Sequence, residues 1–251
     1  MRPNRRFSFA LAVVSLASLP CVLLCEFVLA RLVLGADAAA TSEQKAGSAE
    51  SQAEALFNRG NELSTKPKPD FDEAIRCYQK ALELRPDYTR SWNNMGTAHF
   101  RKGDFREALR CYRKAVELKP EYYEAWNNMG NAYNCTREFD ESIRCYQKTV
   151  ELKPDYVDAW CNMGLAYYYK ANFQEALRCY RKAAEIEPGF SGAWYGAAVV
   201  SARLGDAQGA VANLRKAIEL NPESREKART DKDFDALRDN PDFQALVGGG
   251  K

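Results

Sequence analysis

Few residues of this sequence could carry out acid–base, nucleophilic or metal chemistry. His99 is the only histidine among the 251 residues, and no Ser-His-Asp or Cys-His pair has sequence support around it. The sequence holds no Cys-x-x-Cys pair of the kind that binds zinc and no glycine-rich loop of the kind that cradles phosphate. We therefore expect a chain that is not an enzyme and that binds no cofactor and no metal.

The cysteines could form disulfides or bind metal, and their spacing argues against both. Four of the eight recur every 34 residues: Cys77, Cys111, Cys145 and Cys179. Successive units of a helical stack lie about 9–10 Å apart, whereas a disulfide needs Cα atoms within about 7 Å. We interpret these cysteines as small buried apolar residues. Free thiols conflict with an oxidising compartment, so their redox state stays open.

A second set of regularly spaced residues could bind a polypeptide. An asparagine stands at one position of four successive units: Asn58, Asn94, Asn128 and Asn162. An amide side chain has two donors and an acceptor, so a row of amides could pair with the backbone of an extended peptide. The alternative, that asparagine is simply common at this position, stays open.

Regular repetition defines the elements that position these side chains. The same 34-residue step separates the tryptophans Trp92, Trp126, Trp160 and Trp194, the tyrosines Tyr78, Tyr112, Tyr146 and Tyr180, and the prolines Pro86, Pro120, Pro154, Pro188 and Pro222. Each unit has two apolar stripes at helical spacing, separated by a short turn and followed by a proline. The pattern predicts two helices per unit, stacked so that they bury a continuous core that includes the tryptophans.

The third unit carries the signature most clearly, in Trp126, Met129, Gly130, Tyr133 and Pro154. This pattern resembles the tetratricopeptide repeat, and the resemblance covers residues 53–224. It implies an all-α, right-handed superhelical solenoid of helix-turn-helix repeats with a C-terminal cap. The expected units are 53–88, 89–122, 123–156, 157–190 and 191–224, with capping helices in 225–247 and a tail in 248–251. Gly96, Gly130 and Gly164 should face Ala108, Ser142 and Ala176.

In the family that the chain resembles, the first helix of each unit lines a concave groove that holds partner peptides. The matching positions give a candidate site of Asn58, Asn61, Asn94, Asn128, Asn131, Asn162, Tyr168, Tyr169 and Tyr195. The asparagines are similar to the ladder in the repeats of O-linked N-acetylglucosamine transferase. The chaperone-tail clamp of heat-shock co-chaperones is not matched, because its lysines and arginine are missing and Glu124 occupies one of its positions.

The N-terminus indicates a different segment. Three arginines precede an apolar run that starts at Phe7 and a small-residue stretch near Ala36, which is typical of a signal peptide or a retained signal anchor. We expect residues 1–36 to contact a membrane, residues 37–52 to form a linker, and the repeats to lie on the extracytoplasmic side. The net charge of only +2 gives no reason to expect a nucleic-acid partner.

Together these features predict a non-catalytic protein–protein interaction scaffold or adaptor, membrane-tethered or exported, that binds protein or peptide partners in the groove. Two alternatives stay open: a self-assembling structural protein, and an accessory subunit that presents substrate to a separate enzyme. The sequence leaves the oligomeric state undecided.

Overall fold

The computed structural model describes residues 47–248. The predicted signal peptide or anchor, residues 1–36, lies outside the described residues, as do residues 249–251. Residues 52–248 belong to one compact unit, which contains the repeats. Within residues 47–248 no helix has the length and apolar character needed to cross a bilayer.

The regular structure of the described part is helical. The first helix, α1, covers residues 47–65. The helices that follow are α2 (Phe71–Leu84), α3 (Thr89–Lys102), α4 (Phe105–Leu118), α5 (Tyr123–Cys135), α6 (Phe139–Leu152), α7 (Val157–Tyr169), α8 (Phe173–Ile186), α9 (Ser191–Arg203), α10 (Ala207–Leu220), α11 (Glu223–Thr230) and α12 (Pro241–Gly248). A 3₁₀ helix, Lys232–Leu237, connects α11 to α12.

The two helices of each of the last four repeats pack on each other, and each helix from α2 to α8 also packs on the first helix of the next repeat. The odd-numbered helices α1 to α9 are called inner helices below, and the even-numbered helices α2 to α10 are called outer helices. From the second repeat onward, the inner helices begin at residues 89, 123, 157 and 191, which are the starts of the predicted units. The all-helical solenoid predicted from the sequence is confirmed.

Residues 47–52, which the sequence analysis assigned to a linker, are helical and belong to α1. Ala49, Glu50 and Gln52 are strong helix formers, and they make up half of this stretch. Their lack of apolar periodicity suggested a linker, but they extend a helix whose packed face begins at Ala53.

Prolines terminate the outer helices. Each outer helix ends two residues before a proline, and the intervening capping residue has ψ between 84° and 104°. A residue that precedes proline cannot easily adopt the α conformation because the proline ring would clash with it. The proline therefore turns the chain towards the next inner helix.

A tyrosine ring of the outer helix packs against a glycine of the inner helix in each of the first four repeats. A Cβ added to Gly96 would lie 2.7 Å from the ring of Tyr112, and one added to Gly130 would lie 2.7 Å from the ring of Tyr146. These two glycines were expected to face Ala108 and Ser142. The atoms nearest to them belong to a large ring of the outer helix, and Tyr112 and Tyr146 are among the largest fully buried side chains.

Gly164 has a mixed environment. An added Cβ would lie 3.1 Å from the Tyr180 ring and 3.3 Å from the carbonyl oxygen of Ala176. The expected approach to Ala176 is therefore present, together with the same packing against a tyrosine ring.

The four signature tryptophans are half-buried rather than fully buried. Each indole Nε1–H donates to the carbonyl oxygen of the proline six residues earlier. The distances are 2.9 Å at Trp92, 2.8 Å at Trp126, 2.9 Å at Trp160 and 2.9 Å at Trp194. An indole can bury its apolar body only partly when its polar edge must reach this exposed turn. The tryptophans thus link each inner helix to the turn before it.

The C-terminal segment covers the last repeat, as predicted. Phe234, Leu237 and Phe243 are buried against Ala198, Leu214 and other residues of the fifth repeat. The 3₁₀ helix packs on α9, so part of this segment lies on an inner helix.

Candidate binding surface on the inner helices

The inner helices form the more crowded side of the solenoid. Inner helices of adjacent repeats contact one another, at α3 and α5, α5 and α7, and α7 and α9, and they do so more than outer helices do. Closer spacing on one side bends a stack towards that side. The inner helices therefore line its concave surface, where the candidate asparagines and tyrosines were expected.

At the junction of the first and second repeats, the candidate amides bond to one another. Asn94 Nδ2 donates to Asn61 Oδ1 at 2.8 Å, and the Tyr78 hydroxyl donates to the same oxygen at 2.8 Å. Asn93 Nδ2 donates to Asn94 Oδ1 at 3.1 Å. The carbonyl oxygens are thus occupied by donors of the protein itself.

The junction of the third and fourth repeats has the same arrangement. Asn162 Nδ2 donates to Asn131 Oδ1 at 3.1 Å, and the Tyr146 hydroxyl donates to that oxygen at 2.7 Å. An asparagine of one repeat and a tyrosine of its neighbour therefore converge on one acceptor at both junctions.

The junction of the second and third repeats differs because Thr97 replaces the acceptor asparagine. The Tyr112 hydroxyl lies 3.3 Å from Thr97 Oγ1, and Asn128 Nδ2 turns to Asn93 Oδ1 at 3.0 Å. The matching oxygen one repeat later, Oδ1 of Asn127, is buried without a hydrogen-bond partner among the described residues, because Asn162 bonds to Asn131 instead.

The row of amides keeps donors free for a partner. Asn94, Asn128 and Asn162 each use one Nδ2–H between repeats, and an amide nitrogen has two. Asn58 is exposed, and its side chain makes no hydrogen bond among residues 47–248. At the first junction the oxygens of Asn61 and Asn94 already accept hydrogen bonds, so these two amides offer N–H groups, which suit carbonyl or carboxylate acceptors.

The C-terminal end of the surface is occupied by the chain's own residues. The Tyr168 hydroxyl donates to Asp233, 2.7 Å from Oδ2, and the Tyr195 hydroxyl donates to Asp231 Oδ2 at 2.7 Å. Arg203 Nη1 lies 2.9 Å from Asp233 Oδ1. Burial and the adjacent carboxylate raise the pKa of Tyr168 to about 12 and raise the pKa of Tyr195 as well.

Tyr169 is placed differently from its two neighbours in the candidate set. It is 53% exposed, and its ring stacks on Phe139 with a centroid distance of 5.3 Å and an interplanar angle of 17°. It therefore covers a phenylalanine on the surface of the third repeat rather than bonding to the C-terminal segment.

Models of the tetratricopeptide repeat match residues 70–103, 89–122, 111–144, 138–170, 157–190 and 191–224, and a model of the Sel1 repeat matches residues 53–85. The chain belongs to the tetratricopeptide-repeat family.

Solved structures show the same fold. A crystal structure of MamA is 28% identical with a TM-score of 0.61, over 66% of this chain and 96% of that one. YrrB, described as a TPR protein with an unusual peptide-binding site, is 24% identical with a TM-score of 0.59, over 69% and 90% of the two chains. MamA 41-end from Desulfovibrio magneticus RS-1 is 19% identical with a TM-score of 0.63, over 68% and 96%. No curated protein sequence matches the chain.

The matches reveal a longer period within this tetratricopeptide-repeat protein. One repeat model matches 89–122 and again 157–190, and another matches 70–103 and 138–170. Outer helices of alternate repeats are also more alike, with Asp72 and Asp140 at one position and Arg106 and Gln174 in the other two. The predicted 34-residue period did not include this doubled unit of 68 residues. The alternating asparagine junctions follow the doubled unit.

Burial lowers the reactivity of four cysteines of the repeats. Burial raises the pKa of Cys111, Cys145, Cys161 and Cys179 to about 12, so these side chains stay protonated at neutral pH. All six cysteines within residues 47–248 are free thiols. No cluster of possible metal ligands occurs among the same residues.

His99 is mostly buried, at the end of α3. Its side chain is 14% exposed, and Nδ1 lies 3.6 Å from Asp104 Oδ2 across the turn that ends α3. That nitrogen makes no hydrogen bond within the described part of the chain. The equivalent residues Tyr133 and Tyr167 lie near outer-helix side chains of the preceding repeat, so this is a packing position between repeats.

Proposed function

We propose that this protein is a non-catalytic adaptor that holds extended peptide segments of partner proteins along its inner helices. We propose also that its N-terminal segment tethers it to a membrane or directs its export, with the repeats on the extracytoplasmic side. A protein-interaction scaffold is supported by the repeat family and by the fold shared with MamA.

The observation that carries the proposal is the row of amide donors on the inner helices. Asn58 has both Nδ2–H groups free of hydrogen bonds among the described residues, and the next three ladder asparagines each have one N–H left after bonding between repeats. Repeats about 9–10 Å apart match about three residues of an extended peptide at roughly 3.3 Å each. One backbone carbonyl in three could therefore meet an amide, whatever the side chains.

A test is crosslinking and affinity capture from the native host with the full-length chain. The test variant replaces Asn58, Asn94, Asn128 and Asn162 by alanine. The control replaces three exposed outer-helix residues at the same repeat spacing, Lys114, Lys148 and Lys182, by glutamine. Capture of a partner by the wild type and the control, but not by the test variant, supports the groove as the binding site.

Loss of inter-repeat bonds must be separated from loss of binding. Three of the four asparagines stabilise the junctions, each by about 1 kcal/mol, so the circular dichroism of the test variant must match that of the wild type. The single variant Asn58→Ala removes no hydrogen bond seen in the described residues, and we expect it to weaken capture with unchanged stability. Undiminished capture by the folded four-site variant would contradict the adaptor mechanism.

The location needs its own measurement. Residues 1–36 carry the basic and apolar features that support the proposal. We expect the protein to stay with membranes after carbonate extraction or to be recovered outside the cytoplasm, with the repeats open to protease added from outside. Recovery only in the cytoplasmic fraction would contradict the location and leave the binding surface unaffected.

A further inference from the structure

Each of the first four outer helices begins with a phenylalanine, and one of these four lacks an aromatic partner. Phe105 packs against Phe100 at a centroid distance of 5.4 Å, Phe139 against Tyr169 at 5.3 Å, and Phe173 against Tyr168 at 5.7 Å. Phe71 has no ring and no cation over its face among residues 47–248. Its aromatic pair is therefore incomplete.

The doubled unit identifies what is missing at Phe71. Phe71 and Phe139 are 68 residues apart, and so are Arg101 and Tyr169. The surroundings also match, because Lys102 pairs with Asp72 at one junction and Lys170 pairs with Asp140 at the other. Where the fourth repeat supplies a tyrosine ring to cover Phe139, the second repeat has Arg101.

The result is an open cavity of about 490 Å³ on the inner surface. Its wall includes Asn61, Phe71, Tyr78, Asn94, Thr97 and Arg101. The oxygen of Asn61 already accepts from Tyr78 and Asn94, so the asparagine offers its N–H groups. The cavity therefore combines an uncovered ring with hydrogen-bond donors.

Arg101 gives the cavity a positive charge that the protein does not neutralise. It is exposed and forms no ion pair among the described residues. Asp72, an acidic residue of the same junction, is bound to Lys102. A guanidinium group without a partner beside an open ring favours a ligand that brings both a ring and a carboxylate.

We propose that this cavity binds an aromatic side chain of a partner protein that is flanked by aspartate or glutamate. The partner ring stacks on Phe71 as Tyr169 stacks on Phe139, and the flanking carboxylate pairs with Arg101. This inference rests on the proposed adaptor function and names the chemistry of one segment that the inner surface would recognise.

The test uses the full-length protein and a blocked seven-residue peptide with one tyrosine between two aspartates, measured by titration calorimetry. Arg101→Tyr rebuilds the ring stack of the fourth repeat inside the second. Because an aromatic pair and a charge pair are both lost, we expect affinity to fall by at least about tenfold. Peptides with alanine for tyrosine, or asparagine for aspartate, should bind more weakly by a similar factor.

The reciprocal variant, Tyr169→Arg, should create a second cavity at Phe139. The stoichiometry of peptide binding should rise from one to two per chain, with the new site lost again in Tyr169→Arg/Phe139→Ala. Tyr169 is exposed and its replacement is the residue found one doubled unit earlier, so the variant should fold. This gain of a site cannot arise from general loss of structure.

Several outcomes would overturn the proposal. One is the absence of saturable binding to the wild type, and another is equal binding to Arg101→Tyr. Self-association that disappears in Arg101→Tyr would assign the cavity to a second copy of the chain instead. If partner capture from the host persists in Arg101→Tyr while the peptide fails to bind, the cavity assignment fails and the adaptor function stands.

Discussion

Two sections of the inner surface differ in whether their hydrogen-bond donors are free or already bound to another segment of the chain. The asparagine section, formed by Asn58, Asn61, Asn94, Asn128, Asn131 and Asn162 on the first four repeats, has donors left over after its bonds between repeats. The tyrosine section, formed by Tyr168 and Tyr195 on the fourth and fifth repeats, donates its hydroxyls to Asp233 and Asp231 of the C-terminal segment. The asparagine section has donors available for a partner, whereas the tyrosine section is already bound to the chain's own C-terminal segment.

The change between the sections has a steric cause. At the fourth and fifth repeats, Leu165 and Gly196 stand at the positions of the acceptor and donor asparagines. A Cβ on Gly196 would lie 2.4 Å from the ring of Tyr180, which occupies the place of the amide. The row of asparagines therefore ends where a ring takes their volume, and the C-terminal carboxylates take over the bonding. The tyrosine section shows how this surface holds a chain segment: through aromatic contact and donors that meet carboxylates.

The largest effect should come from opening the tyrosine section. Phe234 is fully buried and packs on Tyr195 and Phe243, so Phe234→Ala should reduce the free energy of unfolding by about 3–5 kcal/mol. Chemical denaturation with hydrogen exchange of α9 and α10 would measure it. The exposed neighbour Asp235 provides the control, and an equal effect of Asp235→Ala would show that the C-terminal segment is not held by its buried rings.

A smaller loss should follow from restoring a side chain at the boundary. Gly196→Ala forces its Cβ into the Tyr180 ring, and we expect a cost of about 1–3 kcal/mol. Gly189→Ala is the matched control, because a Cβ there meets nothing within 4 Å. If Gly196→Ala is as stable as the control in thermal and urea unfolding, Tyr180 does not end the row of asparagines.

The hydrogen bonds of the two sections can be compared by removing one hydroxyl of the tyrosine section and one hydroxyl that donates to the asparagine section. Tyr195→Phe loses a bond to a carboxylate, which should cost about 1.5–3 kcal/mol, whereas Tyr146→Phe loses a bond to the Asn131 amide and should cost about 0.5–1.5 kcal/mol. Both rings remain buried, so the difference reports the hydrogen bonds. Equal losses in denaturant unfolding would mean that the carboxylate gives the tyrosine section no added strength.

Alkaline pH should loosen the tyrosine section. The pKa of Tyr168 is raised to about 12 in the folded protein, above the ordinary value of about 10. The folded state therefore favours the protonated hydroxyl, and its contribution is complete below pH 10 and lost as the pH rises from about 10 to 12. Stability should fall less steeply over this range in Tyr168→Phe/Tyr195→Phe, measured by urea unfolding at each pH. An unchanged slope would rule out this contribution.

The fold was predictable because the same spacing recurs at several residue types. Prolines, tryptophans and tyrosines with one 34-residue step defined the repeat starts, and helix ends followed from the residues before the prolines. The tyrosine rings behind Gly96 and Gly130 were not predicted, since the direction of a large ring depends on the packing of both helices. The half-buried tryptophans were missed for a related reason: their N–H groups bond to a turn that the apolar pattern does not show.

The helices that carry the candidate side chains were predictable from the sequence, whereas the hydrogen-bond partners of these side chains were less so. The inner helices hold all the candidate asparagines and tyrosines, whose role in binding partners stays a prediction. The pairing of Asn94 with Asn61, and of Asn128 with Asn93 instead of Thr97, depends on which side chain of the neighbouring repeat accepts the hydrogen bond. The bond from Tyr168 to Asp233 joins residues 65 positions apart, and no local pattern indicates it. The doubled unit was the one signal in the sequence that could have revealed the alternation.

The smallest effect on the free energy of unfolding should come from the turns between inner and outer helices. Substitutions in these turns can stabilise either section. The second and fifth repeats turn through Gly103 and Gly205, whereas Arg137 and Ala171 adopt left-handed backbone with φ of 64° and 57°. A side chain makes this conformation costly by about 1–2 kcal/mol, and the greater freedom of glycine in the unfolded chain offsets part of the gain. Arg137→Gly in the third repeat and Ala171→Gly in the fourth should each raise the free energy of unfolding by about 0.5–1 kcal/mol. Gly103→Ala, the reverse change, should lower the free energy of unfolding by a similar amount.

Hydrogen exchange should show which section each turn stabilises. Because Ala171 lies just after the helix that carries Tyr168, Ala171→Gly should slow hydrogen exchange in α7 and α8 more than Arg137→Gly does. The opposite order would mean that the two sections share one unfolding unit, and that the C-terminal segment stabilises the asparagine section as much as its own.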